Sequence, residues 1–488
     1  MKLPVRPFAR IVRWLASSPI KFFVVTSLVF GFAFIILVPP FQIPDEFTHF
    51  TRSYEVSELK TGHGQYQKKL YVKGSELPKS ILLTYNKTWL HHKQGTPDVP
   101  QAQKYSWNQT SASLNIPLNK SIVSFYNTGA VPAYVPPVYV PQAIIIKVLS
   151  LMNAPVIVML YATRLVGLLI WISLAVLALR VMPPTKRRLA LASVLLLPMF
   201  IAQASVSTDP LLTGTTVLYL VFITNMLINK EVLTKKKLIL LTVLLLIMVM
   251  AKPVYIAFGI LLFATRTRQS ALKGFIIKTL GIATPFILYC LWSALTKDHG
   301  GPLYIDAIAS SHADPSMQVG YLVPNIFNFF EPFVNTLLLG WGDGIYVSVI
   351  GDFGKLDTPL PLFFIALGYT LTLIAVFVGV DEKEDERDAR AFCARKSSIL
   401  FALLTSLIFI VGVYLAMYVY STPPHERVVT GVQGRYLLPL LPLLTLFVAK
   451  SWVTMRETAY DLIMTSLPLI LLVVSTIVIF LRFYVLYP

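Results

Sequence analysis

Long apolar runs, punctuated by short clusters of Lys and Arg, dominate the chain. Runs such as Phe22 to Val38, Ile399 to Val419 and Ile463 to Leu481 match the roughly 17 to 25 residues that an α-helix needs to cross hydrocarbon. The full pattern predicts eleven helices, near 22–38, 156–179, 189–206, 211–228, 238–251, 254–265, 274–295, 360–380, 398–419, 436–450 and 463–481. The pair 238–251 and 254–265, broken at Lys252-Pro253, is expected to stop short of a full crossing. The first run follows Lys2, Arg6, Arg10, Arg13 and Lys21, and no small-residue cleavage site precedes Pro39-Pro40. It therefore reads as a retained helix rather than a removed signal peptide.

Cations fall in alternate connections: before the first helix, at Arg180 to Arg188, Lys230 to Lys237, Arg266 to Lys278, Lys383 to Lys396, and at Lys450 with Arg456. By the positive-inside rule these face the cytoplasm, as does the N-terminus. The opposite connections are short and poor in cations, except for two long stretches. The chain thus divides into 1–38 (N-terminus and first helix), 39–155 (a large extracytoplasmic loop with interfacial helices), 156–296 (helices two to seven), 297–358 (a second such loop, with prolines 302, 315, 324 and 332) and 359–488 (the last four helices). The acidic-basic run Asp381 to Arg390 reads as a solvated loop.

Composition agrees with the pattern. Of 488 residues, 55% are apolar and 14% charged, where a soluble fold carries nearer a quarter charged residues; a soluble enzyme is excluded. The net charge of +18 would suggest nucleic acid in a soluble chain, but here the cations sit at membrane flanks, and no nucleic-acid partner is implied. Two cysteines, Cys290 and Cys393, make no disulfide framework, and the histidines show no zinc-type spacing. No glycine-rich phosphate loop is present, which argues against an ATP-driven pump.

With the threading in place, Asp45, Glu46, Asp209, Lys252, Asp352, Asp357, His425, Arg427 and Arg435 all fall on the extracytoplasmic side. Ionisable groups gathered at helix ends point to a water-accessible cavity there. In the segment Pro44 to Tyr54, helical spacing puts Asp45, His49 and Arg52 in one sector and Phe47, Phe50 and Tyr54 opposite. Asp45 could take a proton from an acceptor hydroxyl, or simply cap a helix after Pro44. Gly431-Val432-Gln433-Gly434-Arg435-Tyr436 opens a helix and offers backbone N–H groups and a guanidinium fork, the parts of a phosphate site. Arg435 and Lys252 could equally snorkel to the interface, and Asp209 before Pro210 could be a turn residue.

With these residues in view, the chain resembles a family of bacterial multi-spanning membrane proteins catalogued as a domain of unknown function. The resemblance rests on Pro44-Asp45-Glu46 with His49, the stretch Tyr134 to Pro141, Arg164, Ser207-Thr208-Asp209, the segment Gly351 to Pro361 and Gln433-Gly434-Arg435-Tyr436. More distantly it is similar to the GT-C superfamily of glycosyltransferases, with an acidic motif after the first helix. That similarity implies a GT-C-like bundle in the cell membrane and an inverting transfer of a sugar from a polyprenyl-phosphate donor to a cell-envelope glycan acceptor. It implies Asp45 as base with Glu46 beside it, and Arg435 with Lys252 on the lipid phosphate. His49, Arg52, Asp209, Asp357, Gln433 and Tyr436 complete the candidate substrate-binding set, and neither a metal nor a cofactor is required. A transporter or flippase for a lipid-linked glycan is the main rival, and a non-catalytic scaffold the third. Transporters favour midplane sites in repeated halves, whereas here the charges gather at one face and the halves do not match.

Overall fold

The computed structural model describes residues 18–60, 65–67, 72–88, 104–127, 135–203, 205–296, 313–340, 342, 344–380, 396–448 and 452–485. The basic segment before the first helix, Tyr134, residues 297–312 with Pro302, and the run Asp381 to Arg390 lie outside them.

Each long helix starts and stops for a local reason. The first, Pro19–Leu37, has Pro19 in its first turn and Ser18 as N-cap, whose hydroxyl accepts from the Lys21 N–H at 3.3 Å; a proline there gives up no intrahelical bond. It ends at Pro39-Pro40. Asp209–Ile228 opens with Asp209-Pro210, an acidic residue at the positive end of the helix dipole. Lys235–Ala251 is cut off by Pro253 and continues as the tighter 3-10 helix Pro253–Ala264, because proline lacks the N–H that an α-helix would need.

Among the described residues, six helices are long and apolar enough to cross a membrane: Pro19–Leu37, Val156–Val181, Asp209–Ile228, Ala271–Leu295, Ser398–Ser421 and Glu457–Val485. The five other predicted runs are shorter elements, two of them, 238–251 and 254–265, as expected from the break at Lys252-Pro253. The run 189–206 breaks at Pro198 into Lys186–Val194 and Pro198–Ala202. The run 238–251 is the 17-residue Lys235–Ala251, and 254–265 is the 12-residue 3-10 helix. The run 360–380 is the 16-residue Leu362–Phe377, and 436–450 splits at Pro439 into a 3-10 turn and the 8-residue Leu440–Phe447. At about 1.5 Å per residue in an α-helix and about 2.0 Å in a 3-10 helix, these are shorter than a hydrocarbon core of about 30 Å. Hydropathy alone does not see that proline has divided a run.

Asp209–Ile228 is the most enclosed of the six, 72% buried against 22% for Ala271–Leu295, which makes the first the axis of the bundle and the second its periphery. It packs against Val156–Val181, which in turn packs against Pro19–Leu37. The close crossing beside Ser205 depends on Gly167, where a Cβ would lie 2.3 Å from the Ser205 carbonyl oxygen. The loop 39–155 holds helices, as expected, and also a three-stranded antiparallel sheet, Gln65–Gln67, Val72–Pro78 and Val123–Asn127, with Leu77 opposite Ser124. The loop's own core, with Phe41, Phe47, Phe50, Tyr54, Leu77 and Ile81, seats it on the end of Val156–Val181 through Val156, Ile157 and Leu160.

Candidate functional site

Two adjacent carboxylates after the first helix go to different arginines. Asp45 precedes the helix Glu46–Ser57 in the left-handed region, φ 61°, and its side chain makes no capping bond. The capping alternative therefore does not describe its carboxylate. Instead Oδ2 accepts from Arg435 Nη2 at 2.6 Å. Arg435 Nη1 reaches Asp209 Oδ2 at 3.4 Å, and Asp209 Oδ1 accepts from Lys252 Nζ at 2.8 Å. Tyr436 lies under both cations, with its ring centre 4.7 Å from Lys252 Nζ and 5.5 Å from Arg435 Cζ. Residues from four separate stretches thus form one chain of alternating charge at one end of the bundle. Arg435 is nearly enclosed and Lys252 half-buried, while the Asp45 side chain is 54% exposed, so the carboxylate forms the mouth.

Glu46 is fully buried and holds Arg164 through two bonds of 2.7 Å. Arg164 also donates to the carbonyls of Ile35, Val38 and Pro39 at 3.0, 2.6 and 2.8 Å. Ile35 is in the last turn of the first helix, where the carbonyls lack intrahelical donors, and Val38 and Pro39 follow directly after it. An arginine inside an apolar run needs such a partner, and here the pair ties down the turn that carries Asp45. Glu46 is engaged in this clamp rather than with the Asp45 cluster.

The other expected site residues divide in the same way. His49 Nδ1 shares a 2.6 Å hydrogen bond with the Tyr139 hydroxyl. Burial lowers its pKa to about 4 against the pull of Asp45 and Asp209, with Arg435 and Lys252 adding to the lowering; the ring is neutral at physiological pH. Arg52 is buried on Glu55 at 3.1 Å, and Glu55 accepts in turn from the Ser75 hydroxyl. Of the face expected for Asp45, His49 and Arg52, His49 lies within electrostatic reach of Asp45 and the other cluster residues, whereas Arg52 is engaged by Glu55. Asp357 pairs with Arg482 at 2.8 Å, and the buried Gln433 Oε1 has no partner among the described residues. Although desolvation raises the pKa of Asp45, the Arg435 guanidinium and then His49 outweigh it, and the carboxyl is held below its ordinary value.

The position of Arg435 depends on its neighbour. Gly434 lies against the helix Ile345–Ile350, donating its N–H to Ser348 Oγ at 2.9 Å, and a Cβ would fall 2.3 Å from the Val349 nitrogen. Behind the cluster lies a cavity of about 30 Å³ lined by Asp209, Arg435, Gln203, Ser205 and Asp352, room for about two water molecules. Gln203 Nε2 and Arg435 Nε have no partner among the described residues.

Asp352, expected on the extracytoplasmic side, and Lys355, in the segment Gly351 to Pro361, are absent from the candidate catalytic and substrate-binding residues drawn from the sequence. Burial pushes the Asp352 carboxyl up to about 6, against a hydrogen bond from the Thr358 N–H and with a contribution from Asp357. Burial lowers Lys355 to about 8 against Asp357 and Asp45. Both belong to a tight turn whose Gly354 has φ +63°. The sequence signal for that turn is Gly354-Lys355-Leu356-Asp357 between residues of strand type.

Fold and site together define a multi-pass membrane protein with a charged, partly open cluster at one end of its helices. The chain belongs to the DUF2142 family of predicted membrane proteins, which matches residues 28–444. No curated protein and no solved structure matches it.

Proposed function

We propose that this protein is an inverting GT-C-type glycosyltransferase, moving a sugar from a polyprenyl-phosphate donor to an acceptor glycan or lipid-linked acceptor on the extracytoplasmic side of the cell membrane. The observation that supports this most is the charge chain Asp45, Arg435, Asp209 and Lys252. It joins a carboxylate at a solvent-facing mouth to two cations behind it, and these are the groups a displacement at an anomeric carbon requires at its two ends. The distribution of Lys and Arg between connections supports the extracytoplasmic side. On this reading the shorter apolar helices complete a GT-C-like bundle of about eleven full or partial crossings.

In the reaction, the acceptor hydroxyl oxygen bonds to the anomeric carbon and its proton passes to Asp45. The bond from that carbon to the phosphate oxygen breaks on the opposite face, which inverts the centre. The polyprenyl phosphate leaves with the electron pair, and Arg435 and Lys252 stabilise its charge. In the resting state Asp45 occupies the Arg435 fork. A donor phosphate competes for that fork and releases the carboxylate for the acceptor. Asp209 holds both cations in place, and Glu46 is a positioning residue acting through Arg164.

The test is transfer from a polyprenyl-phosphate sugar by the purified chain in liposomes. Asp45→Asn is expected to stay folded and lose about 10²- to 10⁴-fold in turnover, and Arg435→Ala to need more donor. Full transfer by Asp45→Asn rejects the assigned base. Movement of the lipid-linked sugar across the bilayer with no glycosidic bond formed favours the flippase reading instead.

A further inference from the structure

The end of the helix Lys235–Ala251 remote from Lys252 carries a second feature. Between this helix and Ala271–Thr296 runs a groove of two connected cavities of about 310 and 410 Å³, which share Leu238 and Ile277. Each lies in the size range of small-molecule sites. Two glycines of Ala271–Thr296, two helical turns apart, line it: Gly281 lets this helix approach Lys235–Ala251, and Gly274 lets it approach the connection at Thr267. A Cβ at Gly281 would lie 2.9 Å from Leu238, and one at Gly274 would lie 2.9 Å from Thr267.

The lining changes character along its length. One stretch is apolar, with Ile239, Val243 and Leu280 exposed at its surface. The other carries Lys235 and Lys278 with Thr234, Thr267 and Gln269, and the lining of both stretches contains no carboxylate. Lys278 is not a snorkelling residue. It is 6% exposed, and its ammonium donates to the Thr265 carbonyl at 2.6 Å, which leaves two N–H donors for a ligand. Lys235 stands at the rim, at the start of its helix, where the helix dipole adds to the positive potential.

We infer that this groove is a binding site for an anionic phospholipid, with the phosphate between Lys235 and Lys278 and an acyl chain along Leu238, Val243 and Leu280. Charge complementarity selects the headgroup, since two ammonium groups with no carboxylate among them favour an anionic lipid over a zwitterionic one. Lys235–Ala251 has 17 residues and is about 25 Å long. The lipid headgroup and the Asp45 cluster are thus at opposite ends of the bundle, and the inference stands whether or not the protein is a transferase.

The experiment is native mass spectrometry of the full chain released from mixed micelles containing phosphatidylglycerol or phosphatidylcholine. Wild type is expected to retain phosphatidylglycerol preferentially. Lys278→Gln and Lys235→Gln should each lower that retention by about five-fold. Val243→Trp, which fills the groove from its lipid-exposed side without changing charge, should lower it as well. Lys235 and Val243 lie on the groove's surface, so their variants serve if Lys278→Gln fails to fold. Equal retention of the two lipids, or phosphatidylglycerol retention unchanged by Lys235→Gln and Val243→Trp, overturns the site.

Discussion

Substituting the two neighbouring carboxylates separates their roles. In Glu46→Gln the side chain keeps its size but turns one acceptor into an NH₂ group facing the Arg164 fork. Two charge-assisted bonds of 2.7 Å in a fully buried pair are disrupted, and removing one partner of such a pair costs about 3–5 kcal/mol. Asp45→Asn disturbs a pair whose carboxylate is 54% exposed, so its cost is at most about 1 kcal/mol. Arg164→Met should be worse than Glu46→Gln, because it also strips the donors from the carbonyls of Ile35, Val38 and Pro39. The assay is thermal unfolding of the purified chain in one detergent, followed by the loss of monodisperse protein. The expected order of stability is wild type, then Asp45→Asn close behind, then Glu46→Gln, then Arg164→Met. A Glu46→Gln protein as stable as Asp45→Asn refutes the clamp and returns Glu46 to the candidate catalytic pair.

Two further outcomes follow from the site. Gly434→Ala sets a methyl group against backbone atoms of the helix Ile345–Ile350 that cannot move aside, so it should cost about 1–3 kcal/mol in thermal unfolding. Gly320→Ala, where a Cβ meets nothing within 4 Å, should be neutral or slightly stabilising, and equal effects at the two positions would contradict the close approach. The Asp352 carboxyl, raised to about 6, holds its proton more tightly in the folded state, so its contribution to stability is present at low pH and is lost as pH rises through about 6. Asp352→Asn should therefore match wild type near pH 4 and exceed it by about 2–3 kcal/mol near pH 8. A stability gap that does not change with pH would show that Asp352 is not raised.

Much of the architecture is legible along the chain because crossing a membrane is a local demand. A stretch of about twenty apolar residues has to be helical and has to emerge on the other side. Counting crossings therefore assigned Asp45, Asp209, Lys252 and Arg435 to one end before any contact was known, and the structure joins these four. Arg164, alone in an apolar helix, already required a buried partner, although nothing local named Glu46. What the chain does not state locally depends on single torsions and on close packing. Left-handed backbone at Asp45 accompanies the split by which one carboxylate goes to Arg435 while the next goes to Arg164. Prolines 198 and 439 divide elements that hydropathy reads as whole crossings. The partnership of Asp352 with the Asp209–Arg435 cavity exists only because the turn at Gly354 folds against helices distant in sequence. Apolar patterning selects the solvent each segment lives in, whereas the partner of each charge is settled by which side chains the packed helices bring within three to four ångströms.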